Sequence, residues 1–522
     1  MPSLAFALSF LAPLALLPAA IFALARPGKR PGSLPRWSEA SALAAFALAL
    51  AGLVQTAIGK VPGIGMLEGA AQLGLRADLV STAMATLVGF IGWIVMRYSR
   101  TYLDGEEREG AFHGLMLVTL AAVLVFVQAA TLGTVLLAAI AVGVTLKRLL
   151  LFYPGRAEAQ RAATKFALVW HAGDAMLVVA AALLASHFGT LDFAALADAA
   201  GSTGLGLAGT FAVAAIVAAA ALKTASFPLH GWLTEVMEAP TPVSALLHAG
   251  IINSGGVLLI TASGLVQASG GAMAALVLLG GFTALFGAAV MLTQSAIKTA
   301  LAWSTVSQMG FMLLQCGLGL WTLALLHIIA HSLYKAHAFL SSGGAVSEVA
   351  NIRRPGPVAA PNVAAVLKSF GLALIIFAVI AGGFTALLGP KSPQALALGA
   401  ILIFGVAYLV AQGLADRAPA QLTKRTAVSA LAAAVGYFSF QAIAQKVWGP
   451  ILPVAPVPGD LEWALIVLAV ASFGLVAFAQ ALFPLWAHHP STAGLRVHLA
   501  NGLYLNALLD RAIGGFRTTR AR

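Results

Sequence analysis

Apolar stretches long enough to cross a bilayer recur along the whole chain, separated by short joints of charged, proline and glycine positions. A transmembrane helix needs about 20 apolar residues. On that rule about fifteen spans are predicted, with approximate limits 3–25, 39–58, 77–97, 110–127, 130–151, 163–186, 204–225, 242–263, 272–292, 296–317, 320–345, 364–386, 394–414, 424–446 and 461–485.

One stretch breaks the pattern. Residues 223–260 read KTASFPLHGWLTEVMEAPTPVSALLHAGIINSGGVLLI, with ionisable groups and three prolines set between apolar runs. Pro228, Pro240 and Pro242 lack a donor N–H and disfavour helix at the residue before them, so a broken or re-entrant helix is predicted. Irregular backbone at membrane depth survives only where protein or trapped water satisfies it. Ionisable side chains held there are costly, which makes Lys223, Glu235, Glu238 and His248 functional candidates. The competing reading of Glu235 and Glu238 is solvation at the aqueous end of a helix.

Composition agrees with a polytopic membrane protein: 60% of the 522 residues are hydrophobic and 9% charged, against about 25% charged in soluble domains. The single cysteine, Cys316, excludes a disulfide framework and a cysteine metal cluster. The apolar run after Met1 is followed, not preceded, by basic residues and is expected to be a span rather than a cleavable signal. The net charge of +12 is accounted for by orientation, without nucleic acid. With the N-terminus outside, 22 Lys and Arg fall in inner loops and the tail, 4 (Lys60, Arg76, Lys391 and Lys446) in outer loops, and Lys223, Lys298, Lys335 and Lys368 within or at the edge of spans. The positive-inside rule then places the C-terminus in the cytoplasm. The segment LRVHLANGLYLNALLDR spaces Leu495, Leu499, Leu503, Leu505 and Leu509 at roughly helical intervals, as expected of an amphipathic tail that lies at the interface, covers a partner or caps the bundle.

Further candidates lie beyond the broken stretch. In LHIIAHSLYKAHAFLS, His327, His331 and Lys335 recur every four residues and share one helix face. A ladder of titratable groups in an apolar helix is what a proton relay requires. Metal binding is the competing use of the two histidines, but HEXXH is absent and no carboxylate or cysteine follows to complete a ligand set. His171 and Asp174, in HAGD, put an imidazole and a carboxylate in the sixth span, as a working or a static pair. Lys298 begins the tenth span, followed by Ser304, Thr305, Ser307 and Gln308; snorkelling to the interface is its simpler role. No soluble-enzyme signature or nucleotide-binding loop is present, so no catalytic residue, metal or cofactor is assigned to this chain.

The stretches ATKFALVWHAGD, GTLDF, ALKTASFPLHGWLTEVMEAPTPVSALLHA, AIKTALAWSTVSQMG and ALLHIIAHSLYKAHAFLSSG occur in that order over residues 163–343. In this the chain resembles the proton-pumping, antiporter-like membrane subunits of respiratory complex I and of multi-subunit cation/proton antiporters. The wording MEAPTPVSALLHAGIINSGG and the tail RVHLANGLYLNALLDR are most similar to the membrane subunit of DAB-type inorganic-carbon accumulation complexes.

The resemblance implies an all-α polytopic fold with two inverted five-helix repeats, each with a discontinuous helix. It divides the chain into N-terminal helices (1–109), a first repeat (110–263), a second repeat (264–414), C-terminal helices (415–492) and a cytoplasmic tail (493–522). It also implies roles: Lys223 as the lysine of the first broken helix, His248 on the path beyond it, Lys298 as the connecting lysine, and His327, His331 and Lys335 as the relay.

Two departures stand out. The family's fifth-span glutamate, which pairs with the broken-helix lysine, is missing: residues 110–157 hold no carboxylate, the matching positions are Ala139 and Ile140, and His171 replaces a usual arginine. Asp174, Glu235 or Glu238 is then expected to take the glutamate's part. The chain also ends at Arg522, which leaves no length for the lateral helix of the longest complex I subunit.

The expectation drawn from all this is a proton- or sodium-conducting subunit of the cell inner membrane. It would drive carbon dioxide hydration in a large soluble zinc-binding partner, related to β-carbonic anhydrases, on the cytoplasmic face. The alternatives are an ion-translocating module of a respiratory, hydrogenase or antiporter assembly, and a non-conducting scaffold whose polar residues join helices.

Overall fold

Every stretch predicted to span forms helix where it is described in the computed structural model, which describes residues 7–59, 64–67, 72–343, 362–413, 420–482, 486 and 489–512. In chain order the helices are α1 (Ala12–Ala25), α2 (Leu34–Ala57), α3 (Leu79–Tyr102), α4 (Glu109–Val127), α5 (Leu132–Leu150), α6 (Ala157–Phe188), α7 (Phe193–Thr203), α8 (Gly206–Lys223), α9 (Gly231–Thr234), α10 (Thr241–Ala249) and α11 (Ser254–Thr261). They continue with α12 (Ser263–Gln267), α13 (Gly270–Met291), α14 (Ile297–Gly317), α15 (Trp321–Ser341), α16 (Val363–Leu388), α17 (Pro393–Gly413), α18 (Ala420–Trp448), α19 (Asp460–Ala481), α20 (Ala493–Ala500) and α21 (Leu505–Ala512). Among the described residues thirteen spans are long and apolar enough to cross a membrane, α10 and α11 together counting as one. Of the other two predicted spans, α14 is long enough but too polar, and α17 is apolar over Pro393–Gly405, the part whose side chains are described.

The described connections sort onto two faces. On one face, the loop after α1 bonds to the start of α4 (Gly110 N to Gly28 O, 3.1 Å), the Arg108 guanidinium donates to Leu151 O (3.0 Å), and Gln294 donates to Ala500 O of the tail (3.2 Å). On the other, Arg76 N donates to Gln128 O (2.7 Å), Leu132 N to Leu191 O (2.9 Å), Gln267 to Val454 O (2.9 Å) and the Trp448 indole to Leu79 O (3.2 Å). The first is the basic face. The tail lies on it, as an odd number of crossings requires. The opposite face also carries a feature that the apolar pattern does not predict, an antiparallel hairpin of β1 (Ile64–Leu67) and β2 (Leu73–Arg76) with Ile64 opposite Arg76.

Local chemistry sets several helix starts. Asp78 caps α3 by accepting from Val80 N (2.9 Å) and Ser81 N (2.7 Å), and Thr131 caps α5 through Thr134 N (3.2 Å). Such caps satisfy first-turn N–H groups that have no intrahelical partner. Within the bundle, α13 and α14 touch backbone to backbone: a Cβ on Gly310 would lie 2.8 Å from Gly280 O. Gly310→Leu is therefore expected to cost about 1–3 kcal/mol or more by forcing the helices apart. Thermal unfolding in detergent measures this, and an unchanged midpoint would contradict the close approach.

The predicted break is present and is closed by side chains. After Lys223 the chain turns through Ala225 (φ 50°) and a cis Phe227–Pro228 bond into the short helix α9. Thr224 donates its hydroxyl to Ala220 O (2.9 Å), Ser226 to Ala221 O (2.8 Å), and Phe227 N donates to the Thr283 hydroxyl (3.2 Å). Backbone groups freed by the break are thus paired inside the protein, as the bilayer demands. A second interruption follows at Gly250, where α10 gives way to the 3-10 turn Ile251–Asn253 before α11. In residues 264–414 the described spans α13 to α17 are each a single unbroken helix.

Candidate functional site

The break leaves Lys223 at the end of α8 with no solvent exposure, facing α6. Its ammonium lies 2.6 Å from Asp174 Oδ1 and 3.4 Å from Trp170 O, over the Trp170 ring at 4.1 Å from the centroid. Gly173 lies alongside it, where a Cβ would meet Lys223 Cε at van der Waals distance, 3.4 Å. Asp174 Oδ2 in turn meets His171 Nδ1 at 2.8 Å, so amine, carboxylate and imidazole form one chain, with the imidazole at the half-exposed end. Ala139, where the resemblance puts a glutamate, offers only its carbonyl, which accepts from the Trp170 indole (2.8 Å). Asp174 is the carboxylate that faces Lys223.

The other two expected stand-ins go elsewhere. Glu238 pairs with Arg156 (2.8 Å) at the exposed basic face. Glu235 binds Lys165, with both carboxylate oxygens 2.6 Å from an ammonium that has no exposure.

A second cluster is built on α15, α14 and α10. Lys335, fully buried, donates to Leu301 O (3.0 Å) and to the Ser304 hydroxyl, and among the described residues it has no carboxylate partner. His248 Nδ1 meets the Thr305 hydroxyl at 3.1 Å, its ring stacked on Phe339 with centroids 4.3 Å apart. His331 has its ring 6.1 Å from that of His327, and neither of its nitrogens has a protein partner. His327 closes the ladder, its nitrogens 2.8 and 2.9 Å from the side-chain amides of Gln315 and Gln308. Among the described residues no third histidine, cysteine or carboxylate joins the two histidines.

Polar groups at the second interruption lie between the clusters. Asn253 donates to Ser332 Oγ (2.9 Å), one turn from Lys335, while Asn253 Oδ1 and the Ser254 hydroxyl have no protein partner. Ser254, Gly250 and Trp170 line one small cavity, and the Trp170 carbonyl is the one that Lys223 touches. Lys298 stands apart. Half-buried at the basic-face end of α14, it donates to the Thr241 hydroxyl (3.3 Å), which in turn donates to the Tyr102 hydroxyl (3.2 Å).

Two family models match the chain, one described as NADH:quinone oxidoreductase/Mrp antiporter, TM, over residues 129–355, the other as NADH-ubiquinone oxidoreductase (complex I), chain 5 N-terminus, over residues 67–113. The probable inorganic carbon transporter subunit DabB2 of Halothiobacillus neapolitanus is 36% identical over 490 residues, covering 90% of this chain and 87% of that protein. The chain belongs to the DabB family of antiporter-like membrane subunits. The probable inorganic carbon transporter subunit DabB of Hydrogenovibrio crunogenus is 41% identical over 319 residues, 60% of this chain and 61% of that one. A solved structure of the Mrp complex from Dietzia sp. has the same fold, with a TM-score of 0.62 at 22% identity, over 98% of this chain and 60% of that one.

Within this DabB-family chain, four polar residues at or between the clusters escape a reading of motifs: Asn253, Ser332, Lys165 and Asp510. Lys165 looks like one more inner-loop cation, although it is the first charge inside ATKFALVWHAGD. Asp510 is the only acid after Glu462. It reaches Lys165 at 2.7 Å because the tail is not one helix. Three consecutive positive-φ residues, Gly502, Leu503 and Tyr504, turn α20 back into α21.

Proposed function

We propose that this subunit conducts protons or sodium ions through the membrane along the two clusters, entering or leaving at the half-exposed imidazole of His171 and passing Lys223 to reach Lys335 and the histidine ladder. One observation carries the reading: two fully buried amines, Lys223 and Lys335, sit in a bundle whose second helix interruption carries polar atoms with no protein partner, Asn253 Oδ1 and the Ser254 hydroxyl. Buried polar atoms of this kind are normally satisfied by water. Chemistry that hydrates such a route and holds amines beside it fits ion transfer better than helix adhesion. The basic face is cytoplasmic in this reading, with the N-terminus outside the cell inner membrane.

Carbon uptake is the use that the DabB relatives suggest. Flux through this subunit would drive carbon dioxide hydration in a soluble zinc-binding partner related to β-carbonic anhydrases, seated on the cytoplasmic face. One charge moved through 100 mV supplies about 2.3 kcal/mol, so one or two ions per turnover make hydration effectively one-way.

The test is to purify the full chain with its co-purifying partners and to reconstitute it in vesicles under an imposed potential. Flux of protons or sodium above that of empty vesicles, together with zinc and hydration activity in the partner, is the expected result. No flux of either ion would overturn the reading, while flux with a quinone-reducing partner would move it to a respiratory assembly.

A further inference from the structure

The tail returns to the bundle at the inner end of the broken helix. Gly502, in a left-handed conformation, lies against the Trp303 ring, Asn506 donates its amide to the Thr234 hydroxyl (3.2 Å) beside Gly231, and Asp510 reaches Lys165. Lys165 thereby holds two carboxylates, Glu235 at 2.6 Å through both oxygens and Asp510 at 2.7 Å. Arg161, one turn away, pairs with Glu158 (3.4 Å) and is part-exposed.

One ammonium between two carboxylates leaves one negative charge without a contact partner, and Arg161, paired with Glu158, offsets it only at longer range through Glu235. Lys165 has no exposure and Asp510 is 7% exposed, so that charge is largely out of water. An uncompensated carboxylate in such a place costs several kcal/mol, and the cheapest relief is to take up one cation. A proton on either carboxylate does this, as does a monovalent metal ion. Glu235, with its side chain 30% exposed, opens the cluster to the solution on the basic face.

The cluster is also wired to the deeper one. Glu235 lies on the broken segment that carries Lys223, and Lys165 lies on α6 nine residues before Asp174, about 13 Å along the helix. Phe166, Trp170 and Trp232 fill the stretch of α6 between them, with ring centroids 5.3 to 6.3 Å apart. The two ion-pair clusters therefore share the same two elements, one opening to the basic face and one deeper, exposed only at His171, with aromatic side chains packed between.

We infer that Asp510, Lys165 and Glu235 form the loading site for the transported proton or monovalent cation on the basic face, and that the tail is a working part of the ion path because it supplies Asp510. This rests on the conducting role proposed above. Two consequences separate it from a tail that merely caps the bundle. The charge of Asp510 matters more than its anchoring, and the aspartate is replaceable by another carboxylate.

The experiment uses the full chain with its partners in vesicles, an imposed potassium diffusion potential, and dyes for protons and sodium. Asp510→Asn, Asp510→Glu and Lys335→Met are compared, each also carrying Thr234→Cys and Asn506→Cys, whose disulfide yield reports whether the tail is seated. The expected result is that Asp510→Asn loses about a hundredfold in flux, the lower end for a lost proton-transfer group, while disulfide yield is unchanged and Asp510→Glu restores most of the rate. Wild-type flux in Asp510→Asn, with flux abolished in Lys335→Met, would overturn the loading site and leave the conducting role standing. Loss of flux together with loss of the disulfide, unrescued by Asp510→Glu, would overturn it in favour of a latch. Absence of flux in the parent chain would remove both readings.

Discussion

Asp174→Asn is expected to abolish ion flux and at the same time to cost about 3–5 kcal/mol of stability, the penalty for stranding a buried charge. Lys223 has no exposure, and its ammonium has the Asp174 carboxylate at 2.6 Å as its charged partner, with the Trp170 carbonyl at 3.4 Å and the Trp170 ring beside it. Asparagine keeps the shape of the aspartate and removes the charge. Adding Lys223→Met in the same chain removes the stranded amine as well, so the double variant should regain most of the lost stability while flux stays at background. Thermal unfolding in detergent and vesicle flux read the two effects separately. A double variant no more stable than the single one would show that the pair is not energetically coupled. Wild-type flux in Asp174→Asn would remove Asp174 as the counter-ion in place of the fifth-span glutamate that the resemblance implies.

Lys335→Met is expected to abolish the same flux with the opposite effect on stability. Among the described residues no carboxylate reaches Lys335, which is held by Leu301 O and the Ser304 hydroxyl. Exchanging a buried, unpaired amine for an apolar side chain of similar length relieves desolvation, so the unfolding midpoint should hold or rise. Loss of flux in a variant at least as stable as the parent has no explanation as damage to the fold. Retained flux would sink the path at its second amine, whatever Asp174→Asn does. Together the two variants separate conduction from adhesion, because residues that only join helices weaken the bundle when they are removed.

Much of this arrangement is legible in the order of residues. Proline and ionisable residues inside apolar stretches announce the break after Lys223, because a missing N–H and a buried charge are local costs that the lipid cannot meet. The ladder of His327, His331 and Lys335 follows from helical periodicity alone, and the alternation of basic and neutral loops follows from counting. Other features are illegible for an equally physical reason. Which acid serves Lys223 depends on how α6 lies against α8, and Asp174, Glu235 and Glu238 are chemically alike as letters. The structure gives each a different cation: Lys223, Lys165 and Arg156. Lys298 reads as a member of the path or as a snorkelling lysine, and its ammonium sits beside Thr241 at the basic-face end of α14.

The tail shows the same division. Its leucines suggest one amphipathic helix, but the left-handed turn at Gly502 to Tyr504 splits it and aims α21 at the broken helix.

Apolar length, proline placement and charge asymmetry, all read along the chain, settle that this protein is a helical membrane bundle, where its helix breaks and which connections share a face. Ion pairing depends on distances of a few ångströms between segments up to hundreds of residues apart, as with Lys165 and Asp510. Only the packed structure decides those distances, since a charge buried in lipid selects its partner from whatever the fold brings within reach.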